Sequence, residues 1–201
     1  MAAKKKPARK TAAKKTVTKK AANGASRSAK PDAIDLLKAD HRAVEELFEK
    51  FENAKGGKPK QAIAEQICME LIVHAQIEEE IFYPAVKDAV EEDIYTEAHV
   101  EHDGAKVLIA QILRGNPDDE FYDANVKVLS EMIKHHVKEE EMRDGMFAQA
   151  RTGDVDLVEV GAQLKQRKAD LTALYQRNGL PRPKTRTMRS PPKLEIGRPV
   201  A

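Results

Sequence analysis

Residues 67–84 of the chain read ICMELIVHAQIEEEIFYP, and no other stretch is as informative about the fold. Its apolar residues recur at steps of three and four, the spacing that places side chains on one face of an α-helix. The same face carries His74 and Glu78, which lie one helical turn apart. Pro84 is expected to end this helix or to kink it before a further turn or two, because proline interrupts the helical hydrogen bonds.

Further segments with helical spacing lie on both sides of this stretch, and breaks rich in Gly, Pro and Asn separate them. No window alternates polar and apolar residues over the length of a strand. Helices of about 20 residues joined by short turns are typical of an up-down-up-down bundle. The sequence therefore predicts an all-α fold, a four-helix bundle with an additional C-terminal helix. The predicted helices cover residues 32–54, 60–83, 93–114, 118–151 and 154–177.

The predicted buried stripe of each bundle helix contains one histidine near its middle. The four stripes are Ile34, Leu37, His41, Val44 and Phe48; Ile63, Ile67, Leu71, His74, Glu78 and Ile81; Tyr95, Ala98, His102, Ala105, Ile109 and Ile112; and Val126, Leu129, Ile133, His136, Glu140 and Phe147. Two stripes thus carry a glutamate one turn after the histidine. The histidines of each helical hairpin are 33 or 34 residues apart, so the two halves of the bundle repeat one pattern.

The two glutamates on buried faces need a compensating positive charge, because desolvating a carboxylate costs more than the whole stability of a domain. No Lys or Arg occupies the neighbouring stripe positions, so metal ions are the expected source. Six ligands exceed the four of a structural zinc site and suit two ions that share bridging carboxylates. Imidazole and carboxylate donors favour iron, with manganese and zinc as alternatives. A purely structural role would require four histidines and two glutamates at matching depth without a ligand.

These residues resemble the hemerythrin-like HHE cation-binding family over about residues 32–150. The resemblance rests on LKADH at 37–41, HAQIEEEIFYP at 74–84, EH at 101–102 and HHVKEEE at 135–141. It implies a non-haem di-iron centre with oxo or hydroxo and carboxylate bridges. The implied ligands are His41, His74, Glu78, His102, His136 and Glu140, with Glu78 and Glu140 as the bridges. The ferritin-like alternative needs Glu-x-x-His pairs, and no histidine in this chain has a Glu three residues before it.

The chain departs from the oxygen-carrying hemerythrins on its third bundle helix. Those proteins carry His-x-x-x-His there, but Ala98 stands four residues before His102. His99 stands three residues before it and is a candidate seventh ligand; the competing interpretation is a histidine that flanks the centre. Glu140 also replaces the fourth-helix Asp of those proteins, and this change in carboxylates argues against reversible oxygen carriage.

Several residues next to these ligands are interpreted as lying outside the centre. Tyr83 could reach the site or merely pack against its neighbours, and packing is the favoured interpretation. His135 is expected to face solvent, about 100° around the helix from His136. Four acids are interpreted as a solvated rim that would favour cation entry: Glu79, Glu80, Glu139 and Glu141.

Charge is distributed very unevenly along the chain. Residues 1–30 hold eleven Lys or Arg and no acid, and residues 181–201 hold six against one acid. Because the whole chain carries +2, residues 31–180 carry −14. The composition predicts disordered tails at 1–30 and 180–201, around a bundle at 31–152 and an additional helix at 153–179.

The first tail resembles the tails of linker histones, and it predicts non-specific, salt-dependent binding to DNA or another polyanion. A spacer or solubility tail, or one that folds back on the acidic bundle, is the alternative. No function is assigned to the second tail, and the additional helix is expected either to cap the bundle or to mediate dimerisation.

The lone Cys68 excludes an intramolecular disulfide, a cysteine-rich zinc site and an iron–sulfur cluster. The apolar runs are too short for a membrane span, and the N-terminus lacks the apolar stretch of a secretory signal. A transit peptide stays open as an alternative, because such segments are also basic, rich in Ser and Thr and poor in acids. A cytoplasmic location is the simplest expectation, with nucleoid association through the basic tail. The sequence predicts a di-iron protein that binds or senses oxygen, peroxide, nitric oxide or iron. The alternatives are an enzyme that decomposes peroxide or oxidises iron, and a DNA-associated iron-binding protective protein.

Overall fold

The structure is a computed structural model that describes Met1, residues 31–182 and residues 184–188. Its α-helices are α1 (Ala33–Asn53), α2 (Gly57–Ile77), α3 (Tyr83–Val86), α4 (Glu92–Arg114), α5 (Tyr122–Glu141), α6 (Met146–Thr152) and α7 (Leu157–Asn178). A π-helical turn, Glu78–Phe82, joins α2 to α3, and a 3₁₀ turn, Lys87–Ala89, follows α3. The described residues contain no β-strand, which confirms the all-α prediction. The disorder expected for residues 1–30 falls, apart from Met1, outside the described residues.

Four long helices form the predicted bundle. Around the ring, α1 packs against α2, α2 against α4, α4 against α5, and α5 against α1. The additional helix α7 lies outside this ring and packs against α1, α2 and the π-helical turn. The predicted stripe residues face the interior: all are buried or half-buried, and His41, His74, His102 and His136 lie at its centre.

Local sequence sets where α1 begins and where it turns into α2. The Asp32 carboxylate accepts a hydrogen bond from the Asp35 backbone N–H, and the Asp35 carboxylate accepts one from the Asp32 N–H. This reciprocal arrangement satisfies backbone donors that the first turn of a helix leaves free. After α1 ends, Gly56 adopts φ = +85°, a left-handed conformation that favours glycine, and the chain reverses into α2.

Helix α2 is buried on two faces, because α7 covers the side that points away from the bundle core. Ile72, Val73 and Ala75 are buried although they lie outside the predicted stripe. The buried residues of α7 supply the opposing apolar surface: Val160, Leu164, Leu171 and Tyr175. The additional helix thus packs along the side of the hairpin formed by α1 and α2.

The interruption expected at Pro84 takes the form of a wider helical turn. The Tyr83 backbone N–H donates to the Glu78 carbonyl five residues earlier, which is the hydrogen bond of a π-helix. Proline at position 84 has no N–H, and its ring would collide with the carbonyl four residues before it in an α-helix. The wider turn avoids that collision, and the chain continues as α3 with Pro84 in its first turn.

The prediction of one continuous fourth helix over residues 118–151 is wrong. The helix begins later, at Tyr122, and it stops at Glu141, after which residues 142–145 form a turn before α6. Gly145 explains the turn physically: a Cβ there would lie 2.0 Å from the Glu139 carbonyl oxygen. Because no side chain fits, glycine allows α6 to pack closely on the end of α5. The stripe residue Phe147 still reaches the core and stacks on the His41 ring, with centroids 5.8 Å apart.

Residues 184–188, part of the tail predicted at 180–201, contact α4, whereas residues 183 and 189–201 of that tail lie outside the described residues. The buried Asp103 carboxylate accepts hydrogen bonds from the backbone N–H of Arg186 at 2.8 Å and of Thr187 at 2.6 Å. The Thr187 hydroxyl donates a third bond to the same oxygen at 2.7 Å. Asp103 thus fixes the chain after α7 against the outer side of α4.

Within the part of the chain described here, no helix combines the length and the apolar character needed to cross a bilayer.

Candidate metal centre

The four stripe histidines meet in the middle of the bundle as two pairs. His41 on α1 and His74 on α2 approach with their Nε2 atoms 3.1 Å apart. His102 on α4 and His136 on α5 approach with their Nε2 atoms 3.2 Å apart. Each pair comes from one helical hairpin, as the 33- and 34-residue spacings predict. All four Nε2 atoms therefore point towards one interior space.

Glu78 lies between the two pairs, at the first position of the π-helical turn. Its Oε2 is 3.2 Å from His74 Nε2 and 3.4 Å from His102 Nε2. The side chain is fully buried, and neither carboxylate oxygen has a hydrogen-bond partner among the described residues. A buried carboxylate without hydrogen bonds is strongly unfavourable unless a positive charge compensates it. This is the chemistry of a metal ligand.

Glu140, which belongs to α5, lies between the two histidine pairs. Its Oε2 is 3.4 Å from His41 Nε2, and its Oε1 is 3.6 Å from His136 Nε2. The Tyr83 hydroxyl donates to Oε1 at 3.1 Å and lies 3.2 Å from His102 Nε2. The expectation that Tyr83 merely packs is therefore wrong, because the π-helical turn brings its hydroxyl to the centre.

The donor atoms form two groups that share one carboxylate. Those of His41, His74 and Glu78 lie within 4.8 Å of one another, and so do those of Glu78, His102 and His136. Imidazole and carboxylate donors at this spacing fit a transition-metal site. We use "inner cluster" for the six residues His41, His74, Glu78, His102, His136 and Glu140.

A carboxylate stands behind each histidine, at the ring nitrogen that points away from the inner cluster. The Nδ1 atoms of His41, His102 and His136 lie 2.8, 3.0 and 2.8 Å from Glu141, Glu79 and Glu101. His74 Nδ1 is 3.6 Å from Asp40, so this carboxylate acts through its charge rather than through a hydrogen bond. Such partners orient metal-binding imidazoles and raise their basicity. These "outer carboxylates" are Asp40, Glu79, Glu101 and Glu141.

Two members of the expected solvated rim are therefore corrected. Glu79 and Glu141 point inwards to histidines, because neighbouring helices bring their carboxylates within reach of His102 and His41. The other two rim acids lie nearer the surface: Glu80 pairs with Arg167 and Glu139 pairs with His135. His135 is 60% exposed, as expected.

Cations hold three of the outer carboxylates in place. Glu141 accepts from Arg42 at 2.5 Å, Glu79 from Lys106 at 2.6 Å, and Asp40 from Lys168 at 2.6 Å. Lys168 belongs to α7, so the additional helix contributes to the surroundings of the centre. Sequence reasoning missed all three cations and the roles of Asp40 and Glu101. A signal for the four outer carboxylates was available, because each is an acid directly before or after an inner-cluster residue in the sequence.

His99 lies beside the inner cluster and belongs to neither of its two groups of donor atoms. Its ring contacts the Tyr83 and Tyr95 rings edge-on, with centroids 5.2 and 4.9 Å away. Its Nε2 lies 3.1 Å from an Arg186 guanidinium nitrogen in the C-terminal segment. This surrounding corresponds to the flanking interpretation.

The buried charges of the inner cluster shift one another's pKa values. Burial disfavours the charged form of His74, but the carboxylates of Glu78 and Asp40 outweigh it and raise the pKa to about 10. Burial also disfavours the charged form of His102, but the carboxylates of Glu78 and Glu79 outweigh this effect and raise the pKa of His102 to about 9. Burial would raise the pKa of Glu78, yet these histidines hold that pKa well below its ordinary value. In metal-free protein, protons on the imidazoles therefore neutralise the carboxylate.

A small cavity of about 30 Å³ adjoins the histidines. Its remaining lining is largely apolar and includes Val44, Leu71, Ala105, Ile109, Ile133 and Val137. A water molecule needs about 10–15 Å³ measured in this way, so only very small molecules fit.

The sequence pattern of the hemerythrin HHE cation-binding domain matches residues 32–148, which include the whole inner cluster. The chain belongs to the hemerythrin HHE cation-binding family. The match confirms the resemblance, and it establishes the bundle as a cation-binding domain. Helix α7 lies beyond the matched residues.

The chain covers very different shares of the length of its relatives. A DNA nickase of a Nostoc species is 30% identical over 107 residues, which are 53% of this chain and 30% of the nickase. The chain thus spans less than a third of that relative. An uncharacterized protein of Mycobacterium tuberculosis is 27% identical over 139 residues, 68% of this chain and 84% of the relative.

A solved structure confirms the fold. The crystal structure of an HHE cation-binding domain protein from Mycobacterium kansasii matches with a TM-score of 0.64. The match covers 74% of this chain and 94% of that protein, at 24% sequence identity.

Proposed function

We propose that this protein is a non-haem di-iron protein that binds or senses a small oxidant or gas: oxygen, peroxide or nitric oxide. The observation that carries the proposal is the position of Glu78 between two histidine pairs. Neither of its buried oxygens has a hydrogen-bond partner in the described part of the chain. One shared carboxylate is the arrangement expected for two ions rather than one. Glu140, between His41 and His136, supplies a second shared carboxylate.

Each ion would have two histidines and the two shared carboxylates as protein ligands. Four protein ligands leave coordination positions open on iron, which accepts five or six. Bound iron would supply one-electron redox chemistry and a place for a small ligand. Mixed imidazole and carboxylate donors favour iron over copper or a structural zinc.

The chain's own residues would set the surroundings of that ligand. Three outer carboxylates bond to Nδ1 of His41, His102 and His136 and so direct Nε2 inwards, while Asp40 acts on His74 through its charge. Burial and the charges of Glu140 and Glu78 raise the pKa of Tyr83 well above its ordinary value, so its hydroxyl keeps a proton at the centre. The apolar cavity of about 30 Å³ would admit molecules of a few atoms and exclude larger ones.

Metal analysis tests this proposal directly. Protein produced with ample iron should contain two iron ions per chain and should show a visible absorption band that changes on exposure to oxygen, peroxide or nitric oxide. His136→Ala should lose one ion, whereas Glu78→Gln should lose both, because Glu78 serves both pairs. Fully folded protein without transition metal, or equal losses in the two variants, would contradict a shared di-iron centre.

An enzyme is the alternative within the same centre. Such an enzyme would decompose peroxide or oxidise iron at the same ligands. The Tyr83 hydroxyl, which keeps its proton 3.1 Å from Glu140, would supply a hydrogen-bond donor at that site. Repeated turnover of peroxide or ferrous iron by the loaded protein would favour the enzyme, and a single stoichiometric reaction would favour sensing or binding.

We also propose that residues 1–30 bind DNA or another polyanion and bring the metal centre to the nucleoid. Eleven cations without an acid support this proposal, and one relative is named a DNA nickase. The absence of aromatic residues from this segment favours phosphate contacts without base stacking. Deletion of residues 2–30 should abolish retention on DNA at low salt, and unchanged retention would contradict the proposal.

A further inference from the structure

Another group of side chains whose chemistry could hold a metal ion lies on the surface where α4 and α5 pack together. His135 Nε2 is 3.0 Å from Glu139 Oε1 on the same helix and 3.5 Å from Glu101 Oε1 on α4. The three donor atoms lie within 4.8 Å of one another. We use "surface cluster" for Glu101, His135 and Glu139.

The surface cluster repeats the pattern of the inner cluster, displaced by one residue. His135 and Glu139 are four residues apart, as are His136 and Glu140, so both pairs occupy consecutive turns of α5. A carboxylate from α4 completes the surface group. One imidazole and two carboxylates suit a divalent first-row transition cation, with water at the remaining positions.

Glu101 connects the two clusters through its two oxygens. Its Oε1 faces His135, while its Oε2 lies 2.8 Å from Nδ1 of His136. His136 in turn directs Nε2 into the inner cluster, 3.2 Å from His102 Nε2. A cation at the surface cluster would therefore be separated from the inner cluster by one carboxylate and one imidazole ring.

The position of the surface cluster suits the capture of a cation from solvent. The His135 side chain is 60% exposed, and Glu139 and Glu101 are partly exposed. Residues 31–180 carry −14, so the surroundings attract cations. The inner cluster, by contrast, is buried on all sides, and ions must reach it from the surface.

We propose that the surface cluster binds a divalent transition cation and supplies it to the inner cluster, an inference that rests on the proposed metal-binding function. The competing explanation is a surface ion pair between His135 and Glu139, which needs no metal. The two explanations differ in the rate at which the inner cluster fills, and in the number of cations the full-length protein binds.

The test uses full-length metal-free protein and Co²⁺ as the probe, because the absorption of Co²⁺ reports its coordination. In the His135→Gln and Glu139→Gln variants, micromolar Co²⁺ should fill the inner cluster roughly tenfold more slowly than in the unmodified chain. A change of this size is expected when local cation capture is lost. The final absorption of Co²⁺ bound at the inner cluster should be unchanged. Glu101 is left intact, because it also contacts His136.

Glu131→Gln is the matched control, since it removes the same charge from an exposed position of α5, one turn before His135. It should fill at the unmodified rate. A second measurement titrates Mn²⁺ by electron paramagnetic resonance after the inner cluster is filled with Zn²⁺. One further Mn²⁺ should bind to the unmodified chain and be lost in the His135→Gln and Glu139→Gln variants.

Unchanged filling rates, or an additional Mn²⁺ that these variants retain, would overturn the inference and leave only an ion pair. Failure of the unmodified chain to take up any Co²⁺ would instead overturn the proposed metal centre. The two failures are therefore distinguishable.

Discussion

The Tyr83 hydroxyl donates a hydrogen bond of 3.1 Å to Oε1 of Glu140, across 57 residues of sequence and inside the bundle. Because both groups are buried, Tyr83→Phe would leave that carboxylate oxygen without its donor. We expect the free energy of unfolding of metal-free protein to fall by about 1–3 kcal/mol, the cost of an unsatisfied buried polar group. Urea unfolding measures this change.

Tyr95→Phe is the matched control, since the Tyr95 ring packs on Tyr83 without belonging to the inner cluster. It should alter the free energy of unfolding by less than about 0.5 kcal/mol. Metal content should persist in both variants, because neither removes a ligand. A Tyr83→Phe variant as stable as the control would show that the hydroxyl bond contributes nothing to stability.

The coupled charges of the inner cluster predict how the stability of metal-free protein depends on pH. The pKa values of His74 and His102 are raised from an ordinary value of 6.5 to about 10 and about 9. The stabilisation of the fold that these shifts represent is fully present below pH 6.5. This stabilisation is lost as pH rises through 9 and 10. The lowered pKa of Glu78 stabilises the fold above pH 4.5 and is lost at lower pH. Metal-free protein should therefore be most stable between about pH 4.5 and 6.5 with respect to these groups.

Urea unfolding at pH 6, 8 and 10 tests that dependence. Stability should fall with each step in metal-free protein and fall much less in Glu78→Gln, which lacks the charge that raises both histidine pKa values. Metal binding should release the same protons, so metal affinity should rise with pH by up to about two orders of magnitude per unit. Equal stability of the metal-free protein at pH 6 and pH 10 would contradict the coupling.

Helix α7 should influence the metal centre through one ion pair. Lys168 Nζ lies 2.6 Å from Asp40 Oδ1, and the other oxygen of Asp40 is 3.6 Å from His74 Nδ1. Asp40→Asn should lower metal affinity by about 10–100-fold, the usual effect of removing a carboxylate behind a metal-binding histidine. Lys168→Met should have a smaller effect in the same direction. Competition with a chelator of known affinity measures both.

Lys165→Met is the control for α7, because it removes the same charge from an exposed position three residues earlier. Its metal affinity should equal that of the unmodified chain. If Asp40→Asn binds metal as tightly as the control, the charge behind His74 is irrelevant to binding.

The six inner-cluster residues could be found from the sequence because each occupies a buried stripe with helical spacing. The outer carboxylates could not be found in this way. Glu79 follows Glu78 directly, so an α-helix points its side chain about 100° away from the buried stripe. Glu79 reaches His102 because α2, which leads into the π-helical turn that carries Glu79, packs against α4. The same applies to Glu141 beside Glu140, which reaches His41 on the neighbouring helix.

Tyr83 illustrates a second limit. Five residues of α-helix would turn its side chain about 140° from Glu78, and this spacing predicts packing elsewhere. The π-helical turn removes much of that rotation, because the Tyr83 N–H bonds to the Glu78 carbonyl. Pro84 signals an interruption, but it does not reveal that the interruption is a wider turn. The sequence likewise does not reveal that residues 184–188 dock on Asp103, because their composition is that of a tail.

The close packing of Gly145 on the end of α5 leads to the last prediction. A Cβ at this position would lie 2.0 Å from the Glu139 carbonyl oxygen and 2.9 Å from that of Glu140. Both are backbone atoms, so neither can rotate away, and the end of α5 or the start of α6 would have to move. Gly145→Ala should therefore lower the free energy of unfolding by about 1–3 kcal/mol.

The same displacement should also reach the metal centre, because Glu140 belongs both to the last turn of α5 and to the inner cluster. Metal affinity should fall in Gly145→Ala although no ligand is changed. Gly57→Ala is the control: its nearest neighbours would be 3.4 Å from the new Cβ, an ordinary contact, and the variant should keep its stability and metal affinity. A Gly145→Ala variant that loses stability but keeps full metal affinity would show that α6 yields rather than α5. The position of Glu140 would then be set by its own helix and by Tyr83, without any contribution from the packing of α6.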